Sequence, residues 1–383
     1  MLSRSIDEPH RAASQLELLF DLTFVVAVAA GTSALAHSIT EGHAVDGVIP
    51  FLQVFFAIWW AWMNFTWFAS SYDTDDPLYR LLTLVQMAGV LVLAAGVPAA
   101  EDGDFRVVTL GYLIMRAGLI ALWLRAGNED LATRATARRY AMGITVAEVG
   151  WLSRLAIDEA HVVPELGMRL IFFVLVAVEL CVPRWSERPR PTTWHPHHIA
   201  ERYGLFTIIL LGEGVLAASM GVDEVVARGD VDASLVAVAV AGLVLVFSLW
   251  WMYFLEPCGE GLVTHRDRSY VWGYGHYGIF ASLAALSGGL KVAVQHTGDE
   301  AAVSPLVVSY AVAIPVAAFL ALLSVVNGPL VSRRAIRPAL SVAPAAAILL
   351  LPLATSVVGP TVVISGIAAV SAGTVVASLR TSK

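Results

Sequence analysis

The chain has 383 residues, 57% of them hydrophobic and only 14% charged, with a formal net charge of −7. That balance excludes a water-soluble domain. A bilayer core about 30 Å thick takes roughly 20 helical residues, and uncharged runs of this order recur, for example from Ala339 to Leu379. An all-α, polytopic integral membrane protein in contact with the lipid bilayer is expected, and nothing suggests a nucleic-acid partner.

Windows long enough to span fit near 16–38, 48–70, 78–100, 106–126, 136–157, 166–184, 198–220, 233–255, 268–291, 303–325, 337–356 and 359–379, about twelve transmembrane helices in all. Cytoplasmic loops are enriched in Lys and Arg. With the N-terminus inside, seventeen basic residues from Arg4 to Lys383, Arg333, Arg334 and Arg337 among them, fall on the cytoplasmic side. Four, namely Arg106, Arg154, Arg169 and Arg228, fall opposite. Both termini are therefore expected to be cytoplasmic, in the cell inner (plasma) membrane. The first apolar segment is long, contains Asp21 and lacks a clear small-residue cleavage site, so it is expected to stay as the first span.

On that first span Glu17 and Asp21 are four apart, on one helix face about 6 Å from each other. Two carboxylates so close do not both stay ionised in a low dielectric without a cation or base nearby. Either something positive or a proton bridges them, or Glu17 reaches interfacial water while Asp21 pairs with an Arg. The second span carries Phe56-Ala57-Ile58-Trp59-Trp60, then Trp62, Asn64, Thr66 and Trp67. Trp59 and Trp60 lie too deep for interface anchors, which leaves cavity lining or plain core filling. The loop Asp73-Thr74-Asp75-Asp76 reads as a solvated acidic turn, as does Glu101-Asp102-Gly103-Asp104. Gln86 marks the third span, while Arg116, Glu148 and Glu179 mark the fourth to sixth. Arg116 and Glu148 are the economical choice for a mutual buried ion pair with a structural role.

A Pro- and Arg-rich linker, residues 183–197, divides the chain into a first six-helix repeat, 1–182, and a second, 198–383. The seventh span opens with His195-Pro196-His197-His198-Ile199-Ala200-Glu201-Arg202 and continues to Gly212-Glu213-Gly214. His198 and Glu201 are three apart, a spacing that metal-binding bundles use when other helices add carboxylates, and one that plain polar helix faces share. No second such pair exists, so no metal is assigned. Glu213 lies about 18 Å farther along the axis than Glu201. Its flanking glycines allow either close backbone approach or simple helix packing. The eighth span repeats the aromatic signature as Phe247-Ser248-Leu249-Trp250-Trp251, and His276 of the ninth falls at nearly the offset of Gln86. Equal six-span halves imply parallel repeats. Lys291 closes the ninth span. The last three spans are built from Ala, Val, Leu, Ser, Gly and Pro, a composition that lets helices approach closely and suits a scaffold or a homo-oligomer surface. Cys181 and Cys258 fall at cytoplasmic ends and are expected as free thiols.

Three stretches, E-L-L-F-D-L-T-F-V at 17–25, W-W-A-W-M-N-F-T-W-F-A-S-S-Y-D-T-D-D at 59–76 and H-I-A-E-R-Y-G-L-F-T-I-I-L-L-G-E at 198–213, make the chain resemble the bacterial low-temperature-requirement A (LtrA) family over nearly its whole length. The family name denotes a growth phenotype in the cold and implies no defined molecular activity. More distantly, the chain is similar to the two-repeat, twelve-span cation channels of lysosomes and bacteria. Their halves each begin with a Phe-Ser-Asp motif, where this sequence has Phe20-Asp21 and Phe206-Thr207. That likeness implies pore-lining first and seventh helices.

The function expected is that of a membrane transport protein or channel for a cation, proton or small solute, with a polar site between helices 1 and 7 formed by Glu17, Asp21, His198, Glu201, Arg202, Glu213 and His276. The alternatives are an integral-membrane enzyme acting on a lipid or other apolar molecule, with Asp21, Glu201, Glu213 and His276 as acid–base groups or ligands, and a structural or sensory membrane protein without turnover. The sequence carries no G-x-x-x-x-G-K-[ST] loop, H-E-x-x-H or G-x-S-x-G motif, and it names no cofactor or substrate.

Overall fold

The computed structural model describes residues 1–6, 8, 11–228, 233–256, 258–298, 303–331 and 339–381. Arg333, Arg334, Arg337 and Lys383, counted above among the cytoplasmic charges, lie outside the described residues. The described chain is helical, without a strand. The helices are α1 Gln15–Thr40, α2 Ala44–Tyr72, α3 Pro77–Glu101, α4 Arg106–Glu129, α5 Arg134–Glu159, α6 Glu165–Ser186 and α7 Pro196–Arg228, followed by α8 Ala233–Phe254, α9 Cys258–Thr264, α10 Ser269–Gly298, α11 Pro305–Asn327, α12 Ala339–Leu350, α13 Thr355–Val358 and α14 Pro360–Thr381.

Eleven segments among the described residues are long and apolar enough to cross a membrane. Of the twelve expected windows, α5 alone is missing from these. It has the length, 26 residues, but Glu148 and Arg154 in mid-helix, with Arg134, Arg138 and Arg139 at its start, lower its hydropathy. The chain is a polytopic membrane protein. The surface follows the logic of such an environment: Phe173 is 64% exposed, whereas Glu179 is 0% exposed. On α6, then, apolar Phe173 faces outward while the charged Glu179 faces inward. Many hydroxyls satisfy themselves within their own helix, as Thr145 Oγ1 does on Ala141 O at 2.8 Å and the exposed Ser153 Oγ on Val149 O at 2.7 Å. A lipid-facing helix needs this, because hydrocarbon supplies no partner.

The helix ends follow from local chemistry. Asp76 caps α3 by accepting from the Leu78 and Tyr79 amides at 3.1 and 3.0 Å, and Pro77 occupies the first turn, where a missing N–H costs nothing. The α3–α4 turn contains Gly103 at φ +88°, a conformation that side-chain-bearing residues rarely adopt. Ser14 and Glu17 form a reciprocal cap on α1, with Ser14 N donating to Glu17 Oε2 at 2.7 Å and Glu17 N donating to Ser14 Oγ at 3.3 Å. Near the C-terminus, Pro352 sits in a 3-10 turn, Leu351–Ala354, that interrupts the expected 337–356 span between α12 and α13.

The chain forms two compact units, one of Met1–Ala27 with Ala57–Ile199, the other of Val28–Phe56 with Ala200–Lys383. In the first, α3 packs on α4, α4 on α5 and α5 on α6. The α3–α4 contact is drawn tight by glycines. A Cβ on Gly111 would fall inside the contact distance of the Leu93 backbone and the Gly89 carbonyl, and one on Gly89 would meet Gly111 O at 2.8 Å. In the second unit α10 packs on α11, and α14 packs on α8, α11 and α12.

Candidate functional site

In the first unit the start of α1 is the meeting point of several charges. Glu17 and His198 are both 0% exposed, and Glu17 Oε1 lies 3.1 Å from His198 Nε2. Arg11, just ahead of α1, places Nη2 3.4 Å from Glu17 Oε1 and 3.5 Å from Asp73 Oδ2, and also donates to Ala69 O at 3.3 Å. Burial pushes the Asp73 carboxyl up and the neighbouring Glu17 charge adds to this, while Arg11 and Arg4 oppose it. The acidic loop is thus not merely solvated. Asp73 belongs to this buried network, and Asp76 takes two 2.7 Å bonds from Arg125 besides capping α3.

Asp21, one turn beyond Glu17, accepts a 2.7 Å hydrogen bond from the Trp62 indole and is 2% exposed. Its neighbour on α2, Trp60, donates to Glu179 Oε2 at 2.8 Å. Trp60 and Trp62 are thus fully buried in the core, as core filling requires, and also serve as donors to buried carboxylates. Glu179 also accepts from Tyr112 at 2.8 Å, from Trp151 at 3.3 Å and, in a short contact, from Arg116 Nη2. Arg116 Nε reaches Glu148 at 3.3 Å, so the expected Arg116–Glu148 pair exists with Glu179 as a further member.

In the second unit the Lys291 ammonium is surrounded by oxygens: Ser33 Oγ at 3.1 Å, Thr32 Oγ1 at 3.2 Å and Glu213 Oε2 at 3.5 Å. Gly288, one turn earlier on α10, lies where a Cβ would meet Thr32 O at 3.1 Å, so α1 and α10 approach closely here. His276 is wholly buried amid Tyr203, Trp272 and Phe280. Its Nδ1 lies 2.8 Å from Trp272 O, which can only accept, so Nδ1 carries the proton. In the neutral ring Nε2 then accepts from Tyr253 OH at 3.1 Å.

Of the seven residues singled out from sequence, Glu17 and His198 are brought together, Asp21 is held by Trp62, and Glu213 is held by Lys291. Arg202 is wholly buried on α7. Glu201, three residues after buried His198, is exposed. The repeated Trp pairs also differ, since Trp59 and Trp60 are buried whereas Trp250 and Trp251 are 45% and 46% exposed. Arg11, Lys291, Thr32 and Ser33 were not among the seven. Ser14-x-x-Glu17 is a capping-box signature readable in the sequence, and Lys291 was identifiable as an intramembrane charge. The two hydroxyl partners carry no such signal. Among the described residues no group of three or more His, Cys, Asp or Glu side chains is arranged to hold a metal ion.

Long apolar helices enclosing partnered charges define a multi-pass integral-membrane protein. The chain belongs to the bacterial low temperature requirement A protein (LtrA) family, whose model matches residues 12–377. It is 28% identical over 297 residues to "Uncharacterized protein RA0937" of Rhizobium meliloti (strain 1021), a match covering 74% of this chain and 70% of the relative. No solved structure matches.

Proposed function

We propose that the protein is a membrane transport protein or channel for a cation, proton or small solute, in the cell inner membrane with both termini cytoplasmic. The observation that carries this reading is the surroundings of Lys291, an ammonium enclosed by one carboxylate and two hydroxyls within membrane-spanning helices. Such an oxygen set suits a monovalent cation as well as it suits a lysine, and an ionisable group inside a membrane is costly unless it serves a pathway or a partner. The meeting of α1 and α7 through Glu17 and His198 supports a polar site at these two helices. Asp21 and Glu213 are the acids assigned to the moving ion. The likeness of Phe20-Asp21 to the Phe-Ser-Asp motif of twelve-span cation channels points the same way, and the proposed architecture is six helices on each side of residues 183–197. The small-residue helices α11, α12 and α14 are the proposed surface for a homo-oligomer.

The test is flux through proteoliposomes of purified protein, run separately with potassium, sodium and proton gradients. Flux of at least one ion above that of empty vesicles is expected. No flux under any gradient, together with turnover of a co-purifying lipid, would move the protein to the enzyme class.

A further inference from the structure

Helices α4, α5 and α6 of the first unit bring three ionisable side chains together away from solvent. Arg116 is 1% exposed, Glu148 4% and Glu179 0%. The two carboxylates are in very different situations. Glu179 accepts from Trp60, Tyr112, Trp151 and Arg116, and every one of these bonds is strongest to an ionised carboxylate. Glu148 receives a single 3.3 Å bond from Arg116 Nε, and its Oε2 is buried without a hydrogen-bond partner among the described residues. The charged groups acting on Glu148 are Arg116 from α4 and Glu179 from α6. Tyr112 beside them is a neutral phenol, and no charge on α5 itself acts on Glu148.

The charge count then decides where a proton sits. Arginine does not deprotonate in proteins, so the cluster holds one fixed positive charge against two carboxylates. With both acids ionised, one negative charge stays uncompensated among buried side chains, which is costly away from water. A proton removes that cost. Glu179 is the wrong place for it, since four donors would then face a group with less negative charge to offer. Glu148 Oε2 is the site with no donor to lose.

We propose that Glu148 is a reversible proton-binding site. A proton from water adds to the Glu148 carboxylate, forming an O–H bond at Oε2, and returns to water on release. Glu179 stays a carboxylate and Arg116 a guanidinium throughout. The site stands on the surroundings of Glu148 alone and is independent of the transport reading.

Infrared spectroscopy of the whole protein in lipid tests this directly. At pH about 6, above the ordinary carboxylate range near 4, wild type is expected to show the C=O stretch of a buried carboxylic acid. The band should shift in D2O and fade as the pH rises. Glu148→Gln should lack it while melting within a few degrees of wild type, because Gln copies the neutral acid in shape. Should that variant fail to accumulate, Glu148→Asp serves instead, and the band is expected to change frequency. A wild-type spectrum without the band, or a band unaltered by both substitutions, overturns the proposal.

Discussion

Glu17 Oε1 and His198 Nε2 lie 3.1 Å apart, both side chains wholly buried, and tie the first turn of α1 to the first turn of α7. Glu17 is at once the partner of His198, the acceptor of the Ser14 amide and a neighbour of Arg11. Removing one partner of a buried polar contact costs about 1–3 kcal/mol when the group left behind loses its compensation. His198→Ala is expected at the low end, since Arg11 and the Ser14 amide still serve Glu17. Glu17→Gln, which keeps the capping acceptor, should cost less than Glu17→Ala. Thermal unfolding in detergent measures all three, and unchanged melting in His198→Ala would show that the pair contributes nothing to stability.

Lys291 and Glu213 allow a cleaner separation of charge from packing. Lys291→Met leaves a buried carboxylate without its cation and is expected to lower stability by about 3 kcal/mol or more. The double variant Lys291→Met with Glu213→Gln removes both charges and should recover most of that loss. A double variant as unstable as the sum of its parts would mean that the two residues are not coupled.

Asp76 gives a pH dependence of known sign. Hydrogen bonds from Arg125 hold its carboxyl well below the usual carboxylate range. Its contribution is therefore complete above the unfolded value, about 4, and is lost as the pH falls through the lower, folded value. Asp76→Asn retains the capping oxygen and discards the charge. It should melt below wild type at pH 7, and the gap should close in acid. A gap independent of pH would assign the effect to capping geometry and leave the Arg125 pair without a role in stability.

Close packing of α3 on α4 depends on Gly111. Gly111→Ala forces the two backbones apart at Leu93 and Gly89, and overpacking of this kind costs about 1–3 kcal/mol. The measurement is melting temperature, with Gly373→Ala, whose Cβ meets nothing within 4 Å, as the neutral comparison. Equal effects of the two substitutions would contradict the packing account.

Much of the fold was legible because bilayer thickness sets the length of an apolar run. The windows 48–70 and 233–255 fall on α2 Ala44–Tyr72 and α8 Ala233–Phe254. The exceptions have physical causes. α5 is polar in its middle because Glu148 has a partner on α4, and partners are invisible to hydropathy. The site was less legible. Arg116–Glu148 could be inferred from two opposite charges in adjacent spans, but the tryptophan indoles that serve Glu179 and Asp21 count as apolar in any composition. Arg11 reads as a loop charge until the chain ahead of α1 brings it to Glu17. Glu201 shares its spacing with His198, yet one is exposed and the other buried, a distinction that three residues of helix cannot reveal.

Asp21 offers the most direct test of ion movement through the buried acids. Asp21→Asn keeps the side-chain shape and an oxygen for the Trp62 indole, now 2.7 Å from Asp21 Oδ1, while removing the charge that would bind a cation or accept a proton. Flux and melting temperature measured on the same preparations of wild type and variant separate the two roles. The expected result is flux lowered at least tenfold with melting within a few degrees of wild type. Wild-type flux in a fully folded Asp21→Asn protein would contradict the assignment of Asp21 to the moving ion, and a loss of flux that only follows a loss of stability would leave Asp21 a structural acid.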